Sequence, residues 1–478
     1  MKTVRTRFAP SPTGALHAGT VRTALFAWLV ARHANGQFLL RIEDTDQARL
    51  VEGGIKNIIE SLKFLGLDWD EGPDKPSDVG PFIQSERLEK YKPFAQQLVD
   101  KGLAYADPYS QEELQALRDK ARAEKRPFLF RNHRPENPPV WDGMQPLRLK
   151  SNPKNYQWHD EVMGQMNSGP EAIDDYIIMK SDGYPTYNFA HIVDDHLMNI
   201  THVIRSQEFI SSMPKFLNLY DALGFEYPVF ATLPPVLDGS GKRKLSKREG
   251  AKQILEYKDM GIMPEALMNF LVMLGWNDGT TQEVFSREEL INKFELSRVQ
   301  KSGAQFNEDH LLYVSGLYIR NLSLGELFER VKNFWPESAS SFDDKYKKNV
   351  LSTIQERLKY FSEIPELSEF FFTDLPVDMK LITSHKQLKK LSNSEIVDLL
   401  NKSKEVLENS SFELNELTDK LNDLLIETNQ KPAVLFSLIR IATTQAPSSP
   451  GLADTLAVLG RERSLKRIEN LLDLLNVN

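Results

Sequence analysis

The sequence predicts an α/β domain on a parallel sheet, interrupted by an inserted α+β subdomain and followed by an all-α region. Three observations carry this. A strand–helix–strand pattern opens the chain. From about Phe82 to Asp182 prolines and mixed charges become frequent. After Asn321 the apolar spacing is almost wholly helical.

Val4 to Phe8 reads as a buried strand. Val21, Ala24, Leu25, Trp28 and Leu29 recur at helical spacing, which predicts a helix from about Thr20 to Asn35, stopped by Asn35-Gly36. Phe38 to Ile42 is a second strand, so the unit is βαβ with a parallel pair. Ligands of such sheets sit beyond the carboxyl ends of the strands, where Arg7–Thr13 and Glu43–Asp46 fall. The insertion carries one charged helical run, Ser110 to Glu124. Apolar strands are then expected at Tyr184–Val193, Thr201–Ile204 and Phe230–Leu237, rejoining the first sheet. Short helices follow from about Asp259 to Tyr318. In the tail, Leu351, Ile354, Leu358 and Phe361 mark one apolar face, and Leu414, Leu417, Leu421 and Leu424 another.

At 478 residues the chain has room for two to four structural units, and 41% hydrophobic content suffices for ordinary cores. Cysteine is absent, which excludes disulfides, thiolate zinc sites and cysteine nucleophiles. The start, Met1-Lys2-Thr3-Val4-Arg5, lacks the apolar core of a signal peptide, and no apolar run is long enough to span a bilayer. A soluble cytoplasmic protein is expected. The net charge of −8 leaves RNA binding open, because a structured RNA can be held by local basic faces on an acidic protein.

Four stretches carry chemistry. Arg7-Phe8-Ala9-Pro10-Ser11-Pro12-Thr13-Gly14-Ala15-Leu16-His17-Ala18-Gly19-Thr20 puts a histidine, a glycine and a hydroxyl at a strand-to-helix turn, where backbone N–H groups favour anions; alone, His17 could equally cap the helix. Asp238 to Gly250, with Lys244-Leu245-Ser246-Lys247-Arg248 at its centre, is a small-residue loop of clustered cations. It suits a polyphosphate or is simply solvated. Arg41-Ile42-Glu43-Asp44-Thr45-Asp46 could chelate magnesium, bind an amine, act as a base or form an acidic turn. Tyr187, Phe189 and His191, followed by Arg205 and Glu208, read by themselves as core aromatics and scattered charge.

The first two stretches together resemble the two signatures of class I aminoacyl-tRNA synthetases, and their wording resembles bacterial-type glutamyl-tRNA synthetases. The resemblance implies a Rossmann-like catalytic domain in two halves, 1–82 and 183–240. An acceptor-stem-binding insertion lies at 83–182, a signature loop and helical stem-contact domain at 241–322, and an all-helical anticodon-binding region at 323–478. It implies ATP with magnesium, L-glutamate and tRNA(Glu) as partners, a monomer, and activation of glutamate only once tRNA is bound. Residue by residue, it gives catalytic roles to His17, Thr20, Lys244 and Lys247. ATP would be held by these with Pro10, Gly14, Gly19, Glu208 and Ser246. Glutamate would be held by Arg7, Ala9, Ser11, Glu43, Tyr187, His191 and Arg205. Thr20 stands where many class I relatives have a second histidine, and His191 where some relatives have asparagine. In this assignment Glu43 takes the ammonium group, Arg7 with Tyr187 the side-chain carboxylate, and Arg205 the α-carboxylate. Some relatives bind zinc in the insertion through cysteines; here only Asp107, Tyr109 and His133 could make a residual oxygen/nitrogen site. Arg357, before the aromatic pair Tyr360 and Phe361, is the candidate anticodon contact.

Three other readings stay open on sequence: a glutaminyl enzyme, whose tail is usually β-rich; a tRNA-modifying glutamyl transferase, which resembles only the front half; and a non-enzymatic RNA-binding paralogue, in which His17 and Lys247 need not survive.

Overall fold

The computed structural model describes residues 3–245, 252–446 and 449–477. The chain divides into two compact units: residues 1–258 with 264–311, and residues 259–263 with 312–478.

The first unit opens with β1 (Arg5–Phe8), α1 (Ala18–His33) and β2 (Gln37–Leu40). β1 and β2 pair in parallel, Arg5 opposite Gln37 through Phe8 opposite Leu40. The crossover helix buries Val21, Ala24, Leu25, Trp28 and Leu29, the positions that the 3.6-residue spacing singled out. Asn35, at φ 50°, turns the chain out of α1, and Gly36 follows because a Cβ there would fall on the Val4 carbonyl. The chain continues through α2 (Gly54–Phe64) and α3 (Leu88–Asp100).

The insertion contains β3 (Ala104–Ala106), α4 (Gln111–Ala123), β4 (Leu147–Leu149), the hairpin β5 (Tyr156–Asp160) and β6 (Gly164–Ser168), and β7 (Ile177–Met179). α4 starts at a capping box formed by Ser110 and Glu113. β3, β4 and β7 form an antiparallel sheet.

The segment Tyr184–Val193, expected as a strand, is instead the start of helix α5 (Tyr187–Leu197). Thr186 stands extended before it, as an N-cap does after Pro185, and Phe189 to Asp195 are all buried. Its Asp194 and Asp195 are buried with the apolar residues, so polarity does not mark an exposed face in the sequence. Next come β8 (His202–Ser206), α6 (Met213–Leu223), β9 (Val229–Leu233), β10 (Val236–Leu237) and β11 (Ala304–Gln305). The predicted strand Phe230–Leu237 is thus broken, because Pro234 and Pro235 cannot donate to a ladder. β8 and β9 are parallel neighbours in the sheet order β6-β5-β9-β8. Thr201 donates its N–H to the Arg5 carbonyl (2.9 Å), which sets β8 against β1. A core of α3, α5 and α6 side chains, including Tyr91, Phe189 and Phe216, underlies this junction.

The second unit is helical throughout its described length. Its largest core joins Asn393–Glu408, Leu414–Glu427, Pro432–Thr444, Leu452–Leu459 and Arg461–Val477. Leu417, Leu421 and Leu424 are buried there, while Leu414 is exposed. Helix Asp344–Ile354 ends before Leu358 and Phe361, which are buried from the short turns that follow. Buried Arg467 bonds the carbonyls of Thr443 (2.6 Å), Phe370 (2.8 Å) and Thr373 (3.0 Å), tying helix ends together. Among the described residues no helix is long and apolar enough to cross a membrane.

Candidate active site

A cavity of about 480 Å³ opens where the carboxyl ends of β1, β8 and β9 converge on the N-terminus of α1. Its lining includes Arg7, Ala9, Ser11, Glu43, Tyr187 and Arg205, which form a first group, and Pro10, His17, Gly19, Thr20, Glu208 and Lys244, a second. Most of the predicted site is therefore brought together. Gly14 and His191 do not line the cavity. Ser246 and Lys247 lie outside the described residues.

The first group belongs to a buried charge network. Arg7, on β1, donates Nε and Nη2 to the two oxygens of Asp195 on α5 (3.0 and 3.2 Å). Arg41, just past β2, donates Nη1 to the same carboxylate (2.8 Å) and Nη2 to Glu43 (2.9 Å). Burial alone would raise the Asp195 pKa, but Arg7 and Arg41 outweigh it and hold the group below the usual carboxylate range. At Glu43 burial prevails and the pKa is raised, against the pull of Arg41 and Arg7. Arg205 differs. It is 5% exposed, none of its three guanidinium nitrogens has a hydrogen-bond partner, and burial lowers its pKa. Phe209, Phe216 and Phe230 surround it at cation–π distance (5.8, 5.1 and 5.9 Å). Three guanidinium groups thus face two carboxylates in this network. With buried Arg22 also in the lining and no carboxylate among the described residues within ion-pair distance of it, cations outnumber carboxylates here, which suits an anionic ligand.

His191 lies one layer behind. Its Nδ1 is 2.7 Å from the Tyr187 carbonyl, its ring stacks on Tyr187 at 4.6 Å, and Phe216 meets it edge-on. Burial, then the nearby Arg205, push its pKa down to about 3.

In the second group, His17 precedes α1 and its Nε2 lies 3.2 Å from the Thr20 hydroxyl. Lys244 reaches Glu208 (2.7 Å), and this bond lowers the Glu208 pKa. The cationic loop begins as a hairpin: Leu237 bridges Lys244, and Leu245 donates to the Val236 carbonyl (2.8 Å). Beyond it the backbone returns to the first motif, where Gln253 bridges His17 and Ile254 donates to the Leu16 carbonyl (3.0 Å). Sequence reasoning missed Arg22, which lines the cavity, is 2% exposed and binds the Pro234 carbonyl (2.8 Å). It also missed Asp195 and Arg41. A pair of aspartates inside the apolar run Phe189–Leu197 was the available signal.

The residual metal site in the insertion does not form. Asp107 is paired with Arg148 (2.5 Å), the Tyr109 hydroxyl donates to the His133 carbonyl (2.9 Å), and the His133 ring stacks on Phe128. Among the described residues no three acidic or imidazole side chains converge as metal ligands. In the second unit, Arg357 is exposed at the end of a short turn. Arg440 has a lowered pKa through burial, then through the like charge of Arg357.

Residues 3–313 match the family described as tRNA synthetases class I (E and Q), catalytic domain, and residues 326–472 match an anticodon binding domain. A glutamate–tRNA ligase of Dehalococcoides mccartyi is 42% identical over 474 residues, covering 97% of this chain and 96% of the relative. One from Clostridium botulinum is 40% identical over 477 residues, with 98% and 97% covered. The solved glutamate tRNA ligase of Elizabethkingia meningosepticum, in complex with its amino acid, superposes with a TM-score of 0.89 at 29% identity, covering 99% of this chain and all of that one. With a synthetase cavity at the strand ends, a helical second unit and full-length relatives of one kind, the chain belongs to the class I tRNA synthetases, in the glutamate–tRNA ligase family.

Proposed function

We propose that this chain activates L-glutamate with ATP and transfers it to the 3′ end of tRNA(Glu), as a cytoplasmic monomer. The observation that supports the choice of amino acid is buried Arg205, whose guanidinium has no hydrogen-bond partner, in a cavity that also offers Arg7 and Glu43. Glutamate brings two carboxylates and one ammonium, so its net negative charge reduces the surplus; glutamine is neutral and does not.

In this reading Glu43 accepts the ammonium hydrogens, Arg7 with Tyr187 takes the side-chain carboxylate and Arg205 the α-carboxylate. Ala9 and Ser11 line the cavity with them, and His191 supports Tyr187 from behind. An α-carboxylate oxygen attacks the α-phosphorus of ATP, and the bond to the β-phosphate breaks. Pro10, Gly19, Glu208 and Ser246 position the nucleotide. His17, Thr20, Lys244 and Lys247 meet the charge that develops on the phosphates as pyrophosphate leaves. Magnesium carried in with ATP would offset part of the triphosphate charge beside Lys244 and Lys247. The terminal ribose hydroxyl then attacks the acyl carbon and AMP departs. No protein nucleophile is required, because alignment and charge stabilisation suffice.

The five-part division at 82, 182, 240 and 322 assigns the acceptor stem to the insertion and the anticodon to the tail. Arg357, beside Arg440, is the candidate contact for bases or phosphates in the tail.

The test is ATP–pyrophosphate exchange and charging with glutamate, glutamine and aspartate, with and without tRNA(Glu). Glutamate-specific, tRNA-dependent exchange is expected. Equal use of glutamine would overturn the assignment.

A further inference from the structure

We infer that Asp195 is the positioning residue of the amino-acid site: a buried carboxylate, out of reach of the substrate, that holds the carboxylate-binding and ammonium-binding contacts in one frame. This rests on the glutamate reading given above.

Asp195 is 2% exposed and Arg41 wholly buried, and neither lines the cavity. Arg7 and Glu43 do line it. The link between them runs through Asp195. Its Oδ1 accepts from Arg7 Nε (3.0 Å) and Arg41 Nη1 (2.8 Å), its Oδ2 accepts from Arg7 Nη2 (3.2 Å), and Arg41 passes the link on to Glu43 (2.9 Å). Three elements distant in sequence, β1, the segment after β2, and α5, therefore meet on one side chain.

The geometry settles what Arg7 can offer. A guanidinium has five N–H groups. Two go to Asp195, and one on Nη1 makes a long contact with the Ile204 carbonyl (3.4 Å). The remaining pair, one on each terminal nitrogen, forms the fork left for a substrate carboxylate. Without Asp195 that fork has no fixed direction. Asp195 also sets the charge of the site, because its loss adds one more uncompensated positive charge beside Arg205.

Asp194 cannot stand in. Its oxygens are already taken by Arg87 (2.7 Å), Gln84 (2.8 Å) and Tyr91 (2.8 Å), and it lies 3.9 Å from Arg41 Nε.

The experiment measures glutamate and ATP KM in charging of a tRNA(Glu) transcript by the full chain. Asp195→Asn keeps the shape and removes the charge. It should raise glutamate KM about a hundredfold, the scale for breaking a buried hydrogen-bonded ion pair, with ATP KM within about twofold. Arg41→Lys keeps the charge and loses the two-pronged geometry. It should raise glutamate KM about tenfold, and it decides the matter if Asp195→Asn yields no soluble protein. Unchanged glutamate KM in a soluble variant, an equal rise in both KM values, or a loss of kcat alone would overturn the inference. If the parent itself charges no glutamate, the proposed function fails and not this inference alone.

Discussion

His191 gives the site a titration that can be read without any substrate. The Tyr187 carbonyl can only accept, so the 2.7 Å contact fixes the proton on Nδ1 and leaves Nε2 as a bare acceptor, buried with no hydrogen-bond partner. Burial, reinforced by Arg205, lowers the pKa from 6.5 to about 3. An unfolded chain takes up this proton as the pH drops through 6.5, while the folded chain refuses it until about 3. Below 6.5 the unfolded state holds one more proton, so stability falls as the pH falls. The slope is about 1.4 kcal/mol per pH unit, which amounts to about 2 kcal/mol between pH 7.5 and pH 5.0. The assay is urea unfolding at those two pH values, followed by tryptophan fluorescence. Of the six tryptophans only Trp335 lies outside the first unit, so the signal reports the unit that holds His191. His191→Asn removes the titrating ring, and subtracting its pH dependence from that of the parent cancels every other group. The parent should lose about 2 kcal/mol more than the variant on acidification. Parallel losses would refute the neutral, buried imidazole.

Three further outcomes are expected. Arg205→Met should raise glutamate KM about a hundredfold or more while leaving Tm unchanged or higher, because an unpaired buried cation opposes folding; a fall in Tm by calorimetry would count against it. Lys247→Ala should lower turnover by about 100- to 1000-fold with little change in glutamate KM, measured by pyrophosphate exchange, and near-normal turnover would remove the cationic loop from the mechanism. Gly36→Ala should cost about 1–3 kcal/mol in urea unfolding, because the new methyl meets the Val4 backbone between α1 and β2.

Much of this was legible in the chain. The β1–α1–β2 unit is readable because Val21, Ala24, Leu25, Trp28 and Leu29 recur at helical spacing between two short apolar strands, and both motif stretches fall at the strand ends that face the cavity. α5 was misread because Asp194 and Asp195 are buried together with its apolar residues, so polarity does not mark an exposed face. The pairing within the charge network was not legible. Asp195 meets Arg7 across 188 positions and Arg41 across 154, so the aspartate pair in its apolar setting hints at burial but not at its partners. The insertion's candidate ligands failed because side-chain type says nothing about prior commitments; Arg148 already neutralises Asp107.

The bridge between His17 and Gln253 has a consequence for any mutational study of this site. Leu16 and His17 pair with Gln253 and Ile254, just after the cationic loop, so the histidine motif and the segment following the lysine motif share one backbone seam. Groups that share a seam relax together when one is altered, and their free-energy changes do not sum. Substitutions at the two motifs, far apart in sequence, belong in double-mutant cycles. The coupling energy between them, more than either single loss, measures how far the two signatures act as one device.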